Sequence, residues 1–372
     1  MIRSLKFKIG VLLLLISLSN CSKNDGGGSD APNPIPTINL AEERKKIAQH
    51  LADHFIQPAF ETLSQSMQNL QTAFEEFEAS QTQQNLQTLQ QRLRSSWLVW
   101  QRASIFQIGP AESNAIRLAL NVYPTDVNQV ENNIETQNYT LGTIENRDAV
   151  GFPALDFLIN QSETPAVNLP FDEHRSQYMR DIITYGVEIA LQVMNDFNTG
   201  SYLTTFVSDQ SNGTDVGSAL GQIVNAMDHH FQRYVRDGKL AIPAGIRSAG
   251  IPRPTTTEAF YGGYSVELLQ ESVQAYLDLF NGDGYDGVDG PSILSYLVAI
   301  DQQVLANDIR SQLELVINSI ELLSDPLSQQ LIESSEPAET VFIHMQDFIT
   351  LLKSDMASVM GVTITNQDND GD

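Results

Sequence analysis

Apolar residues recur at spacings of three and four along most of the chain after Ala41. This spacing places them on one face of an α-helix, whereas the strict alternation that is typical of strands is hard to find. The first such stripe consists of Ile47, Leu51, Phe55, Leu63, Met67, Leu70, Phe74 and Phe77. The pattern therefore predicts an all-α protein that begins with long helices.

Later stripes of the same kind predict helices at about residues 85–106, 172–195, 265–280, 292–300 and 304–323. Thr214 and Gly238 would bracket a further helix as its N-cap and its C-terminal glycine. Pro337 and Gly361 would bracket the last helix in the same way.

Long helices joined by loops are typical of up-and-down bundles, and four helices of about 20 residues would use roughly half of the chain. The sequence therefore predicts two packed helical-bundle domains, at 38–205 and 206–362. Their boundary would lie in the polar stretch 198–212.

The N-terminal residues are typical of an export signal. Arg3, Lys6 and Lys8 precede an apolar run, 9–18, that is too short to span a bilayer. The run is followed by Ser19-Asn20-Cys21, which together with Leu18 resembles a bacterial lipobox. This resemblance predicts removal of residues 1–20 and lipidation of Cys21. The alternative is an ordinary secretory signal followed by an incidental cysteine.

Residues 21–37 are rich in Gly, Ser, Asn, Asp and Pro, a composition that predicts a flexible tether. Residues 363–372 predict a disordered acidic tail. The expected location is the bacterial cell envelope, where lipid on Cys21 would hold the protein to the membrane.

Charge and cysteine content exclude several classes of function. The chain has 21 Lys and Arg against 46 Asp and Glu, a formal net charge of -25, so nucleic acid is not expected as a partner. A single cysteine excludes an internal disulfide framework and a thiolate-rich zinc site.

Several short segments follow an order and spacing that are specific only when they are taken together. They are Ala52-Asp53 with Pro58-Ala59-Phe60, Trp97 with Trp100-Gln101-Arg102 and Gly109-Pro110, Asn121 to Asp126, and Glu258-Ala259-Phe260-Tyr261 to Ser265 with Asn281-Gly282. In these segments the chain resembles the imelysin family, whose members are secreted or lipid-anchored bacterial proteins. The resemblance implies a helical fold and a link to iron uptake.

The hallmark of that family is Gly-x-His-x-x-Glu, and this chain has Gly151-Phe-Pro-Ala-Leu-Asp156 at the corresponding place. Pro153 replaces the histidine, and Asp156 keeps a carboxylate on a shorter side chain. A zinc peptidase needs about three protein ligands and an activated water, so no catalytic residue is predicted here.

The resemblance implies a ligand-binding cleft where the altered motif meets the segments at 102–112 and 258–265. The candidate ligand-binding residues are Arg102, Glu112, Asp156, Glu258 and Ser265. Asp156 and Glu112 would also be the ligands of a divalent or ferric metal ion. Arg102 would clamp a carboxylate or pair with Glu112 or Asp156, or else it would stack on tryptophan where two helices cross.

Three other groups of residues are weaker candidates for a metal site. His50 and His54 lie four residues apart on one helix face, a spacing that can chelate a metal. In 228–230, His229 and His230 would point in different directions because they are adjacent on a helix. The loop 281–290 resembles a calcium loop, but the order of its ligands does not fit one.

These observations lead to one main hypothesis and two alternatives. The chain would be an envelope-anchored lipoprotein that binds a metal ion or small ligand without catalysis, in connection with iron acquisition. One alternative is a metallopeptidase of the imelysin type. The other is a cell-surface interaction module with a protein partner in the envelope.

Overall fold

The computed structural model describes residues 38–160 and 171–365. Within these ranges all repeating structure is helical, and the one β-type pairing is an isolated antiparallel bridge between Asp283 and Asp289. The predicted all-α class is confirmed. The predicted signal and tether, with Cys21, and most of the predicted tail lie outside the described residues.

The α-helices, numbered in chain order, are α1 (Leu40–Leu51), α2 (Gln57–Ala79), α3 (Gln83–Ala103), α4 (Pro110–Ser113), α5 (Ile116–Leu120), α6 (Val127–Thr136), α7 (Gly151–Asn160), α8 (Glu173–Thr199), α9 (Tyr202–Phe206), α10 (Ala219–His230), α11 (Ser265–Asn281), α12 (Ile293–Ala299), α13 (Gln303–Ile320), α14 (Leu327–Glu333), α15 (Glu336–Thr350) and α16 (Ala357–Met360). π-Helical segments at Ala52–Ile56, Phe231–Ala241 and Leu351–Met356 continue α1, α10 and α15 without a break. Single turns of 3₁₀-helix occupy Ile144–Asn146, Asp209–Ser211 and Pro254–Thr256.

The first half of the described chain is organised around α2, which packs against both α3 and α8. The first apolar stripe predicted from the sequence is buried along α1, the π-helical segment after it and α2. Phe60 and Phe197 stack across the contact between α2 and α8. The short helix α7 packs between α3 and α8. This places the altered motif within the apolar core.

The second half is organised around α13, which packs against α11 and α15, while the π-helical segment after α10 packs on α15 and α11. Helix α11 also packs on α3, which joins the two halves. By its internal contacts the chain from Ile38 onward forms one compact unit. A division into bundles at 38–205 and 206–362 therefore stays a prediction.

Two predicted helix boundaries were wrong. The N-cap of α10 is Ser218, whose hydroxyl accepts a hydrogen bond from the Gly221 amide, and Thr214 lies outside the helix. Gly238 lies inside the π-helical segment. At the other end of the described chain, Thr365 donates its amide to Asn225, so the first residues of the predicted tail are held against α10.

Among the residues that the structure describes, no helix combines the length and the apolar character needed to cross a bilayer.

Candidate functional site

Gly151 opens α7 in a conformation that glycine alone adopts easily. Its φ is 72°, and a Cβ atom there would lie closer than 3.0 Å to the carbonyl oxygen of Leu120. Pro153 follows in the first turn of α7, where its missing amide removes no hydrogen bond from the helix. The altered motif therefore begins a well-formed helix.

Asp156 is 1% exposed and lies one turn into α7. Its Oδ1 accepts a hydrogen bond from Asn160 Nδ2 at 2.9 Å, and its Oδ2 accepts one from the Tyr261 amide at 2.9 Å. The amide of Gly262 adds a third donor. Burial raises the pKa of the Asp156 carboxyl to about 7, although these hydrogen bonds act in the opposite direction.

The turn that contacts Asp156 approaches it closely. A Cβ atom on Gly262 would lie 2.8 Å from Asp156 Oδ1, so a larger residue there would displace the carboxylate. Asp156 therefore fastens α7 to the loop that precedes α11.

A cavity of about 280 Å³ lies beside Asp156. The described residues that line it are Tyr123, Pro124, Thr125, Val127, Pro153, Asp156, Thr255, Thr257, Ala259, Phe260 and Tyr261. Pro124 and Thr255 are exposed, whereas Asp156, Thr257 and Ala259 are buried. Asp156 is the one ionisable carboxyl among these lining residues, and none of them is Lys, Arg or His.

Glu258 and Ser265, two of the predicted ligand-binding residues, are buried in the protein behind this wall. Glu258 is 1% exposed and forms an ion pair with Lys239, which is 4% exposed. Its Oε1 also accepts hydrogen bonds from Trp97 Nε1 at 3.0 Å and Asn121 Nδ2 at 2.8 Å. The hydroxyl of Ser265 donates to the Glu258 carbonyl.

These contacts give Glu258 and Ser265 a role in holding the loop 258–265. Neither residue lines the cavity. Burial lowers the pKa of Lys239, while Glu258 opposes that shift.

Arg102 does not pair with Glu112 or Asp156 as predicted. Its guanidinium forms ion pairs with Glu271 and Asp278 on α11 and lies 5.0 Å from the centre of the Tyr285 ring. The stacking alternative was correct in kind, but the ring is Tyr285 and not a tryptophan. Arg102 lines a second cavity of about 270 Å³, away from Asp156.

Glu112 is exposed on α4, where its charge acts on Tyr202 and His229. Asp156 has none of these neighbours. Within 38–160 and 171–365 no three His, Cys, Asp or Glu residues are grouped so that they could hold a metal ion. Asp156 and Glu112 therefore do not form a preassembled metal centre.

The two weaker candidates at His50 and His54 and at 281–290 form one structural contact. His50 Nε2 lies 3.0 Å from the Gly282 carbonyl oxygen, and His54 Nδ1 lies 2.9 Å from Asp286 Oδ2. The two imidazole rings are 4.8 Å apart. The histidines thus dock the loop onto α1 and the π-helical segment that follows it.

His229 and His230 point in different directions, as the helix geometry predicts. His229 is exposed, while the buried His230 ring lies between the Ser104 and Tyr276 hydroxyls, 2.9 Å from each. Burial lowers the pKa of His230 well below its usual value. This histidine is a neutral member of the core.

Lys239, which neutralises Glu258, is not among the residues predicted from the sequence. The signal was present, because Phe231, Val235 and Lys239 follow one another at intervals of four. A lone lysine in an apolar stripe indicates a buried ion pair, since an unpaired buried ammonium is costly.

Comparison with known proteins matches residues 56–344 to the family model described as imelysin, peptidase M75. No curated protein sequence matches the chain.

Two crystal structures share this fold at 15% sequence identity and a TM-score of 0.71. One is described as an iron-regulated protein A precursor from Parabacteroides distasonis ATCC 8503 and covers 86% of this chain and 94% of its own. The other is an imelysin-like protein from Psychrobacter arcticum 273-4 and covers 88% of this chain and 98% of its own.

Proposed function

The chain belongs to the imelysin family, and from that premise we propose that it is an envelope-anchored protein that binds a small ligand or a metal ion without catalysis. One observation carries the proposal. A cavity of about 280 Å³ lies at the altered family motif, with the buried carboxyl of Asp156 in its wall. A concave site with a few convergent polar groups is the usual form of a small-ligand site.

The residues around the cavity favour binding over hydrolysis. Pro153 lines it at the place where the family has histidine, so the imidazole that would act as ligand or base is missing. Metal-dependent hydrolysis needs about three protein ligands and a bound water. Asp156 alone cannot supply them.

The same arrangement favours a small ligand over a resident metal ion. Three donors of the chain itself already occupy the oxygens of Asp156, and Glu112 lies among other neighbours. A metal ion bound to the remaining acceptor site of Asp156 would have to recruit its other ligands from elsewhere.

Two parts of the proposal depend on other observations. The anchor is Cys21, which follows an apolar run of export-signal length. The link to iron acquisition is supported by family membership and by the description of the Parabacteroides distasonis protein as iron-regulated.

The experiment that tests binding uses the full chain in detergent. Native mass spectrometry after purification would detect a copurified small ligand, and calorimetric titration with Fe²⁺, Fe³⁺, Zn²⁺, Cu²⁺ and Ca²⁺ would detect a metal. Thr255→Trp should fill the cavity from its exposed rim and abolish binding. The matched control is Thr256→Trp, because Thr256 does not line the cavity.

The absence of any bound species, or binding that survives Thr255→Trp, would contradict the proposal. Catalysis is tested separately with an unfolded protein substrate and each of the five ions. Cleavage that Asp156→Asn abolishes would replace the binding role by the peptidase role.

A further inference from the structure

Two of the side-chain hydroxyls around the Asp156 cavity already donate their protons to the chain itself. Thr125 Oγ1 donates its proton to the Asp148 carbonyl at 2.8 Å, and Thr257 Oγ1 donates to the Pro254 carbonyl at 2.8 Å. Each of these hydroxyls can then only accept a further hydrogen bond from a ligand. Pro124 and Pro153 in the wall have no amide proton.

Asp156 keeps acceptor capacity for a ligand. An ionised carboxylate has about four lone-pair sites, and Asn160, Tyr261 and Gly262 use three of them. No Lys or Arg of the described chain forms an ion pair with Asp156 within 4.0 Å. Above its pKa of about 7, this carboxylate therefore carries a negative charge that no lysine or arginine of the described residues neutralises.

Aromatic rings form much of the remaining wall. The rings of Phe260 and Tyr261 have centroids 5.0 Å apart and lie nearly perpendicular to each other, at 84°. Tyr123 lies in the same wall. The face of an aromatic ring carries partial negative charge and attracts cations within about 6 Å of its centroid.

We propose that this cavity binds a small organic ammonium ion, with its charge on the Asp156 carboxylate and its alkyl groups against Tyr123, Phe260 and Tyr261. The proposal rests on the proposed function and specifies the ligand class. A divalent metal ion needs several oxygen ligands in fixed geometry, whereas an ammonium ion needs one carboxylate and apolar or aromatic surface. The cavity supplies what an ammonium ion needs, which is one carboxylate and aromatic surface.

The volume of the cavity sets the size of the ligand. At about 30 Å³ for each water of the liquid, 280 Å³ corresponds to about nine waters. Tetramethylammonium, choline and putrescine are all small enough to enter. The formal net charge of -25 also favours the approach of a cation.

The test is calorimetric titration of the full chain with these three ions and with 3,3-dimethylbutan-1-ol, the neutral isostere of choline. Choline should bind at least about tenfold more tightly than the isostere, because the isostere lacks the charge. Asp156→Asn should weaken that preference, because only the aromatic rings would then favour the cation, and Thr255→Trp should abolish binding of both. Glu112→Gln, which changes an exposed carboxylate outside the cavity, should alter neither affinity.

Three results would overturn the proposal: no binding of any of the three ammonium ions, equal affinity for choline and its isostere, or a preference for choline that Asp156→Asn leaves unchanged. Circular dichroism melting of each variant shows that it is folded. A different result would separate the ligand class from the binding function. If the ammonium ions do not bind, but another copurified ligand is lost in Thr255→Trp, the cavity is a binding site and only the proposed ligand class is wrong. If Thr255→Trp changes the binding of no species, the binding function and the ligand class are both wrong.

Discussion

The carboxyl of Asp156 makes the stability of the protein depend on pH. Its pKa is about 7 in the folded protein and 3.8 in an unperturbed chain, because burial disfavours the charged form. The folded protein therefore holds this proton more tightly than the unfolded chain does. It follows that the free energy of unfolding falls as pH rises from about 4 to about 7 and changes little above that range.

Urea unfolding at about pH 5 and about pH 8 measures this effect. The wild type should lose roughly 2 to 3 kcal/mol from this group over that interval, and Asp156→Asn should lack that loss. Glu112→Gln is the control, because its side chain is exposed, and it should behave like the wild type. The same change of stability with pH in wild type and Asp156→Asn would contradict the assignment.

Substitution of two glycines distinguishes the cost of a strained backbone from the cost of a steric collision. Gly151 and Gly250 have similar φ values, 72° and 78°, but a Cβ atom on Gly151 would collide with the Leu120 carbonyl, whereas Gly250 has open space around it. Gly250→Ala should cost about 1 kcal/mol of unfolding free energy, and Gly151→Ala about 3 kcal/mol or more. Equal losses in urea unfolding would show that α7 can shift to accept the methyl group.

For single residues, the sequence predicted which side chains are important better than it predicted the groups that they contact. Asn160 lies four residues after Asp156, so a contact between them follows from helix periodicity. The Tyr261 amide is 105 residues away, and no local pattern indicates it. The partners of Arg102 were missed for the same reason, since Glu271 lies 169 residues further along.

At the level of elements, the π-helical segment Phe231–Ala241 carries Lys239 to Glu258. This ion pair is almost completely buried, so loss of one partner leaves an uncompensated charge in the core. Lys239→Met should lower the free energy of unfolding by about 3 to 5 kcal/mol. The double variant with Glu258→Gln should recover part of that loss, and a purely additive loss in urea unfolding would show that the two groups are not coupled.

Helix boundaries were predictable where one residue carries the signal. Asp172 and Ser292, the first residues of two predicted helices, are the N-caps of α8 and α12. Gly238 was mistaken for a helix end because the helix passes through it in π geometry, with Tyr123 Oη 3.0 Å from where a Cβ would be. A π-helical turn adds one residue to the usual repeat, and a search for a period of 3.6 does not detect it.

At the level of the whole molecule, the proposed anchoring depends on the sulfur atom of Cys21. If Cys21 carries lipid, the wild type should sediment with membranes and Cys21→Ser should move to the soluble fraction. Ser22→Ala is the control and should stay with the membranes. Membrane association of Cys21→Ser would indicate an uncleaved signal or a different anchor.

The apolar spacing predicted the all-α fold, and family resemblance predicted a cleft at the altered motif, at 102–112 and at 258–265. No residue of 102–112 lines the cavity, and the resemblance did not predict the chemistry of its wall. Glu258 and Ser265 were expected to contact a ligand. In the structure, however, Glu258 pairs with Lys239, and the Ser265 hydroxyl donates to the Glu258 carbonyl. Composition cannot distinguish these roles, because a buried ion pair and a ligand site use the same residue types. The residues that do line the cavity, among them Tyr123 and Tyr261, are ordinary core-forming types.

The hydrogen bond between Asp156 and the Tyr261 amide has a consequence for folding kinetics. It joins two segments that are 105 residues apart, and contacts of such long range carry a large loop-closure cost. The cavity should therefore be completed late, after the folding transition state, so a ligand should slow unfolding and leave the folding rate nearly unchanged. Binding would then lengthen the lifetime of the native protein, a kinetic form of stability that resists irreversible loss even where the equilibrium stability is modest.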